Sequence, residues 1–288
     1  MIKQFFISLL IFILISSCSK EVDLSAVDNL NNGKIFIVGH GGTGFETLKN
    51  PLPPDSWSSI QKTVDVYNAD GVDVDIRISK DSVLFLCHNG LLESITDCSG
   101  CIYEKTFNEL QNCAYKQDYD LNLFAKEKLI TLDFLFENFS NRINHPLVIL
   151  DIKTDYLCGQ LLIPSYDTYV NQIFSVIKKF NADSWVNIIS SDIIFLNKLK
   201  IKLPDVPLYI DGEFNSSVQA ATTYGYQGIS VNNDHIDKDQ VKTAHDNGIK
   251  VLLFGIKLKS STKDAIKKNP DILDTDNISV TQEVLLNN

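Results

Sequence analysis

From residue 34 onward the chain repeats one unit: a short apolar run, a polar residue or glycine at its end, then apolar side chains at helical spacing. Continuous apolar runs bounded by turn residues read as buried strands, and they fall at 34–38, 71–76, 147–152, 186–190, 207–210, 228–231, 249–254 and 272–274. Helical patterns fill most of the intervals, at 56–68, 131–139, 166–180, 192–201, 216–224, 237–247 and 262–269. The 237–247 segment is followed by Gly248, a usual helix stop. Strands separated by helices build a parallel sheet, and eight of them over this length predict a closed α/β fold, a (β/α)₈ TIM barrel. An open doubly wound sheet is the competing arrangement. Its nucleotide-binding versions open a helix with Gly-x-Gly-x-x-Gly or a P-loop, and neither occurs here. No sustained repeat or linker follows Gly33, so residues 34–288 are expected to form one domain.

The residues before this body read as an address. One positive charge at Lys3 precedes about a dozen apolar residues and then Ser16-Ser17, the layout of a secretory signal too short for a comfortable membrane span. Ile15-Ser16-Ser17-Cys18 resembles the lipobox of bacterial lipoproteins, which implies cleavage after residue 17 and a lipid on Cys18. The polar stretch 18–33 suits a tether, and the protein is expected to be exported and held at the cell envelope by that anchor. Export places Cys87, Cys98, Cys101, Cys113 and Cys158 in an oxidising compartment. Cys98-Ser99-Gly100-Cys101 lacks a second ligand pair for zinc, so a disulfide bracing the loop between Asn89 and Lys128 is the better reading. With 26 Lys+Arg against 36 Asp+Glu, the formal net charge of −10 disfavours nucleic acid as a partner and suits a protein that holds a cation.

Chemistry concentrates at strand ends, where barrel enzymes assemble their sites. The first run leads into Gly39-His40-Gly41-Gly42-Thr43-Gly44, whose glycines allow close backbone approach and leave the His40 imidazole unobstructed. In Asp73-Val74-Asp75 the two-residue period puts both carboxylates on one face, where they repel unless water or a cation separates them. The chain then turns near Asp81-Ser82 and returns through 83–87. A tight hairpin centred between those two residues would set His88 opposite Asp75. Asp151 and Lys153 share a face at the end of the third parallel strand, and Asn232 stands at a later strand end. His145 precedes a proline in a turn, His235 lies in a loop and His245 on a helix, so these three are expected to be non-catalytic.

His40-Gly41-Gly42, Asp70-Gly71-Val72-Asp73-Val74-Asp75, His88-Asn89, Asp151-Ile152-Lys153, Ile189-Ser190-Ser191 and Asn247-Gly248-Ile249 occur in this order. The set resembles the glycerophosphodiester phosphodiesterase family, from about Ile35 to Asp276. The resemblance implies a metal-dependent barrel phosphodiester hydrolase acting on a small-molecule or lipid-derived diester. It implies His40 and His88 as general acid and base, and Asp73, Asp75 and Asp151 as ligands of Mg²⁺ or Ca²⁺. Lys153 then contacts phosphate. Apart from the resemblance, Asn232 at its strand end offers an amide to the substrate, and Gly41 is expected to border it. General acid–base help of this kind is typically worth about 10²–10⁴-fold in rate.

The chain departs from the family pattern at several positions. Gly41 stands for an Arg that would grip phosphate bidentately, and is expected to open space beside His40 for a bulkier diester. Asp73 and Asp151 stand for Glu, Asp55 for the Glu of Pro-Glu-Asn-Thr, and Asn89 for Asp. Two other readings keep the same residues: a phosphatidylinositol-phospholipase-like enzyme acting on membrane lipid, and a non-catalytic surface protein that retained the pocket.

Overall fold

The computed structural model describes residues 22–45, 50–116, 126–154 and 165–286. Its strands are β1 (Phe36–His40), β2 (Gly71–Ile78), β3 (Leu84–Leu86), β4 (Leu147–Ile152), β5 (Val186–Ser190), β6 (Leu208–Asp211), β7 (Gly228–Asn232), β8 (Lys250–Ile256) and β9 (Ile272–Thr275). Eight of them run parallel in the order β1-β9-β8-β7-β6-β5-β4-β2, and pairing of β1 with β2 closes the ring. The fold is a (β/α)₈ barrel, as the strand and helix alternation predicts. β3 hangs antiparallel on β2 and opens the insertion that follows the second parallel strand.

Among the described residues the α-helices are α1 (Trp57–Asp65), α2 (Phe107–Leu110), α3 (Leu132–Ser140), α4 (Tyr166–Phe180), α5 (Ile193–Lys202), α6 (Phe214–Tyr224), α7 (Lys238–Asp246), α8 (Lys259–Lys268) and α9 (Ile278–Leu286). Several start where a side-chain oxygen accepts an otherwise orphaned helical N–H: Ser56 for α1, Thr131 for α3 and Asp192 for α5. Val72, Val74, Ile76, Val148, Leu150 and Ile152 belong to the large core packed with the helices, whereas Val38, Ile149, Ile189, Tyr209, Leu252 and Ile272 form a separate cluster. The alternation therefore has the predicted phase. Val72, Val74 and Ile76 face the helices, and the carboxylates between them share the face of the barrel interior.

Three expectations change. β1 extends two residues beyond the predicted run and takes Gly39 and His40 into the strand. The β2–β3 hairpin pairs Ile76 with Leu86, so Asp75 comes opposite Cys87, whose N–H donates to the Asp75 carbonyl at 2.8 Å. His88 is thus one residue past the predicted partner position, because the turn centres on Asp81 rather than between Asp81 and Ser82. Residues 22–33 are not a free tether. Val22 is buried, the Asn29 amide donates to the Pro270 and Lys34 carbonyls, and the Asn31 amide donates to that of Asp271. These contacts lie before β1 and β9, at the barrel end opposite His40. Residues 1–21, with Cys18, lie outside the described residues, as does Cys158. No helix among the described residues is long and apolar enough to cross a membrane.

The insertion is braced by a Cys98–Cys113 disulfide, and Cys101 is also disulfide-bonded. Cys98 and Cys101 are therefore not a metal or dithiol pair with one another. Cys87 is a buried free thiol that burial pushes up to about 12, too high to act as a nucleophile near neutrality.

Candidate active site

Barrel closure puts His40 between two acidic neighbours. Its strand pairs with β2 so that His40 lies beside Asp73, and with β9, which carries Asp274. His40 Nδ1 donates to Asp274 Oδ2 at 2.9 Å, and Asp73 Oδ2 lies 3.6 Å from the same nitrogen. This bond fixes the tautomer and leaves Nε2 for proton transfer. Burial opposes a charge on His40, but Asp274, Asp73 and Asp75 together hold its pKa well above the ordinary value.

The next pair of strands brings Asp75 beside Asp151. Lys153 Nζ ion-pairs with both, at 2.8 Å to Asp75 and 2.6 Å to Asp151. Burial works against the ammonium, but Asp151 and Asp75 hold it charged. Burial alone would also raise Asp75, yet Lys153, His88 and His40 keep it below the usual carboxylate range. Asp151 rises to about 6, because burial outweighs Lys153. Asp73 is raised well above its ordinary value by burial, then by Asp274 and Asp151.

Asp55 joins them from the β1–α1 connection. It is buried, with φ of +63°, and its Oδ1 accepts the Asp75 N–H at 3.1 Å. Its own N–H donates to the Gly41 carbonyl at 2.8 Å. Gly41 is buried with φ of +56°, and a Cβ there would meet Pro54 Cβ at 2.6 Å. The room expected beside His40 is therefore filled by Pro54. The glycine serves a left-handed turn, and Gly41 is not among the residues lining either cavity at the mouth.

His88 is exposed, and its Nδ1 donates to Asn89 Oδ1 at 2.6 Å. Arg77, almost fully buried, supports its main chain: Nε and Nη2 donate to the His88 carbonyl at 3.0 and 2.8 Å. Nη1 donates to the Tyr103 hydroxyl at 2.8 Å, which donates in turn to the Lys153 carbonyl at 3.1 Å. One guanidinium thus ties together the ends of β3 and β4.

The mouth holds two cavities that share His40, Phe45 and His88. The first, about 330 Å³, is the more polar of the two and includes Asp73, Asp151, Lys153, Asp211, Ser230 and Asn232, beside Ile189, Leu252 and Phe254. The second, about 250 Å³, runs under the insertion past Asp55 and Asp75. The other histidines lie elsewhere. His145 stacks on Trp185, His245 pairs with Asp271 at the far end of the barrel, and His235 sits in a short turn. Asp274 and Arg77 were missing from the expected set. Both were accessible to the period-2 argument, since Asp274 alternates with Leu273 and Thr275, and Arg77 continues the phase of Asp73 and Asp75.

These residues suit a hard divalent cation. His40, Asp73 and Asp274 offer ligand atoms within 4.8 Å of one another. Asp73 Oδ1 and Asp274 Oδ1 are buried without a hydrogen-bond partner, a costly state that a cation would relieve. Of the expected ligands, Asp73 belongs to this group, while Asp75 and Asp151 flank Lys153 one step along the barrel rim.

A sequence profile described as the Glycerophosphoryl diester phosphodiesterase family matches residues 54–280. The chain is 24% identical over 249 residues to a glycerophosphodiester phosphodiesterase of Caldanaerobacter subterraneus subsp. tengcongensis, covering 84% of this chain and 94% of that one. It superposes on an Oleispira antarctica phosphodiesterase, solved in complex with the product sn-glycerol-3-phosphate. That match has a TM-score of 0.73 and 17% identity, over 87% of this chain and 96% of the other. A glycerophosphodiester phosphodiesterase from Parabacteroides distasonis superposes with a TM-score of 0.72 and 16% identity, over 88% and 97% of the two chains. By its profile, and in agreement with the barrel and its acidic mouth, this chain belongs to the glycerophosphoryl diester phosphodiesterase family of phosphoric diester hydrolases.

Proposed function

We propose that the protein hydrolyses a glycerophosphodiester with the help of a divalent cation, Mg²⁺ or Ca²⁺, using His40 and His88 for proton transfer. The observation that carries this reading is that the two histidines line the same two cavities, beside a group of buried carboxylates. Asp73, with Asp274, Asp55, Asp75 and Asp151 around it, would hold the cation, which when bound neutralises phosphate oxygens. Lys153 adds a fixed positive charge at the rim, already oriented by Asp75 and Asp151. One histidine takes a proton from the attacking water and the other gives one to the departing alcohol oxygen. Asp274 and Asn89 hold the Nδ1 atoms, so each ring presents Nε2. The product seen in the Oleispira antarctica protein supports glycerol phosphate as one half of the substrate.

We also propose export and attachment through a lipid on Cys18. The segment from Val22 docks at the barrel end opposite the mouth, so such an anchor would turn the mouth away from the bilayer. That orientation favours a soluble diester over a membrane phospholipid. The test is release of glycerol phosphate from glycerophosphodiesters by the purified chain lacking residues 1–18, with and without divalent cation. Turnover that needs the cation, and that His40→Ala or His88→Ala lowers by orders of magnitude, is expected. Full turnover after exhaustive chelation, or turnover of phosphatidylinositol vesicles in preference to soluble diesters, contradicts it.

A further inference from the structure

The two cavities at the mouth differ in chemistry, and the difference divides the substrate. The polar one holds Lys153, Asp211, Ser230 and Asn232, groups that pair with phosphate and hydroxyls. The other has an apolar wall of Pro53, Pro54, Ile95 and Tyr115, with Phe45 shared by both cavities. Asp55, Asp75, Asn89, Ser94 and Lys116 also line it. Pro53 and Pro54 come from the turn that fills the space next to Gly41. Ile95 and Tyr115 come from the insertion, where the main chain pairs Thr96 with Tyr115, Lys116 N–H donates to the Ile95 carbonyl at 2.8 Å, and Cys98–Cys113 closes the loop. Tyr115 is buried and its hydroxyl donates to the Leu86 carbonyl at 3.4 Å, so the wall is built into the fold.

We infer that this second cavity is the subsite for the departing alcohol and that it takes a neutral, apolar one. The inference rests on the phosphodiesterase reading above. With glycerol phosphate in the polar cavity, the phosphorus lies between His40 and His88, which both cavities share. Water oxygen bonds to phosphorus, the phosphorus–alcohol oxygen bond breaks, and the alcohol leaves with the proton given by a histidine. Its carbon chain then lies against Ile95, Tyr115 and the prolines. A cationic alcohol such as choline is disfavoured. Quaternary ammonium groups are held by open aromatic faces, whereas Lys257 already sits 5.0 Å over the Phe45 ring and Lys116 adds positive charge. Asp55 and Asp75 also line this cavity, but in the reading above their charge is taken up by the divalent cation and, for Asp75, by Lys153.

The experiment compares catalytic efficiency of the chain lacking residues 1–18, with Mg²⁺ or Ca²⁺, on the glycerophospho esters of ethanol, butanol, hexanol and choline. Burying one methylene corresponds to about fourfold, so efficiency should climb by about two- to fourfold per methylene. The choline ester should fall about tenfold or more below the butyl ester, the size of two buried methylenes. Ile95→Gln should flatten the alkyl series, the butyl and hexyl esters losing more than the ethyl ester. Should that variant lose the ethyl ester as well through misfolding, Lys116→Ala decides, and it should raise the choline ester without touching the alkyl slope. An active enzyme with a flat alkyl series, or with choline as its best alcohol, overturns the subsite but not the phosphodiesterase reading. Absence of turnover on every ester overturns both.

Discussion

Arg77 donates two hydrogen bonds to the main-chain carbonyl of His88, from Nε at 3.0 Å and from Nη2 at 2.8 Å. The side chain is buried, and its Nη1 bond to the Tyr103 hydroxyl continues from that hydroxyl to the Lys153 carbonyl. A residue that touches no substrate thereby sets the places of two that are expected to.

Arg77→Met should lower kcat far more than it changes KM, because placement rather than binding is lost. A displacement near 1 Å at a reacting group costs up to about a hundredfold, and a loss of about tenfold to a hundredfold is expected. The freed His88 carbonyl should also cost about 1–3 kcal/mol of stability. Arg77→Lys, which can still donate to one carbonyl, should recover part of kcat. Steady-state kinetics beside thermal melts check this. A melt lowered with kcat per folded molecule unchanged would make Arg77 purely structural.

Asp274→Asn keeps the size of the side chain but removes the charge that holds His40 Nδ1. Partners that orient a working histidine are typically worth about 10–100-fold. Activity should fall by about that factor, with the fold retained by circular dichroism. Activity near wild type would remove Asp274 from the machinery.

Gly41→Ala places a Cβ 2.6 Å from Pro54 Cβ at a φ of +56°. Left-handed backbone at a non-glycine residue costs roughly 1–3 kcal/mol, and the clash adds to it. A melting point lower by several degrees is expected, with activity lost through displacement of Asp55 rather than through a filled substrate pocket. A fully stable variant with altered substrate preference would restore the specificity role first expected for this glycine.

Asp151 and Asp73 carry folded pKa values above their ordinary 3.8, Asp151 at about 6. A carboxyl raised in this way binds its proton more tightly in the folded chain than in the unfolded one. Its contribution to stability is complete below pH 4 and is lost, for Asp151, as the pH rises to about 6. A divalent cation replaces those protons, so it should raise the melting temperature more at pH 7 than at pH 5. Melts with chelator and with Mg²⁺ or Ca²⁺ at both values test this. An equal shift at the two would mean that these carboxylates do not hold the metal.

The order of strands and helices was legible in the sequence, and so was the face on which each strand-end side chain lies. Successive strand residues point to opposite sides, and between helices and lumen only one phase buries Val72, Val74, Leu150 and Ile152 against the helices. His40, Asp73, Asp75, Asp151 and Lys153 were therefore placed at one end of one interior from local pattern alone. Which of them meet was settled only by the closed barrel. Asp274 reaches His40 because β9 and β1 become neighbours, and Lys153 settles between Asp75 and Asp151 because β2 and β4 align those two rows. The shift that puts Cys87 rather than His88 opposite Asp75 comes from the centring of the hairpin turn on Asp81. The Cys98–Cys113 pairing and the filling of the space at Gly41 by Pro54 come from packing within the insertion and the β1–α1 connection. Which strands become barrel neighbours depends on the register and packing of segments distant in sequence. That register is set by the fit of the whole core, which no local periodicity encodes.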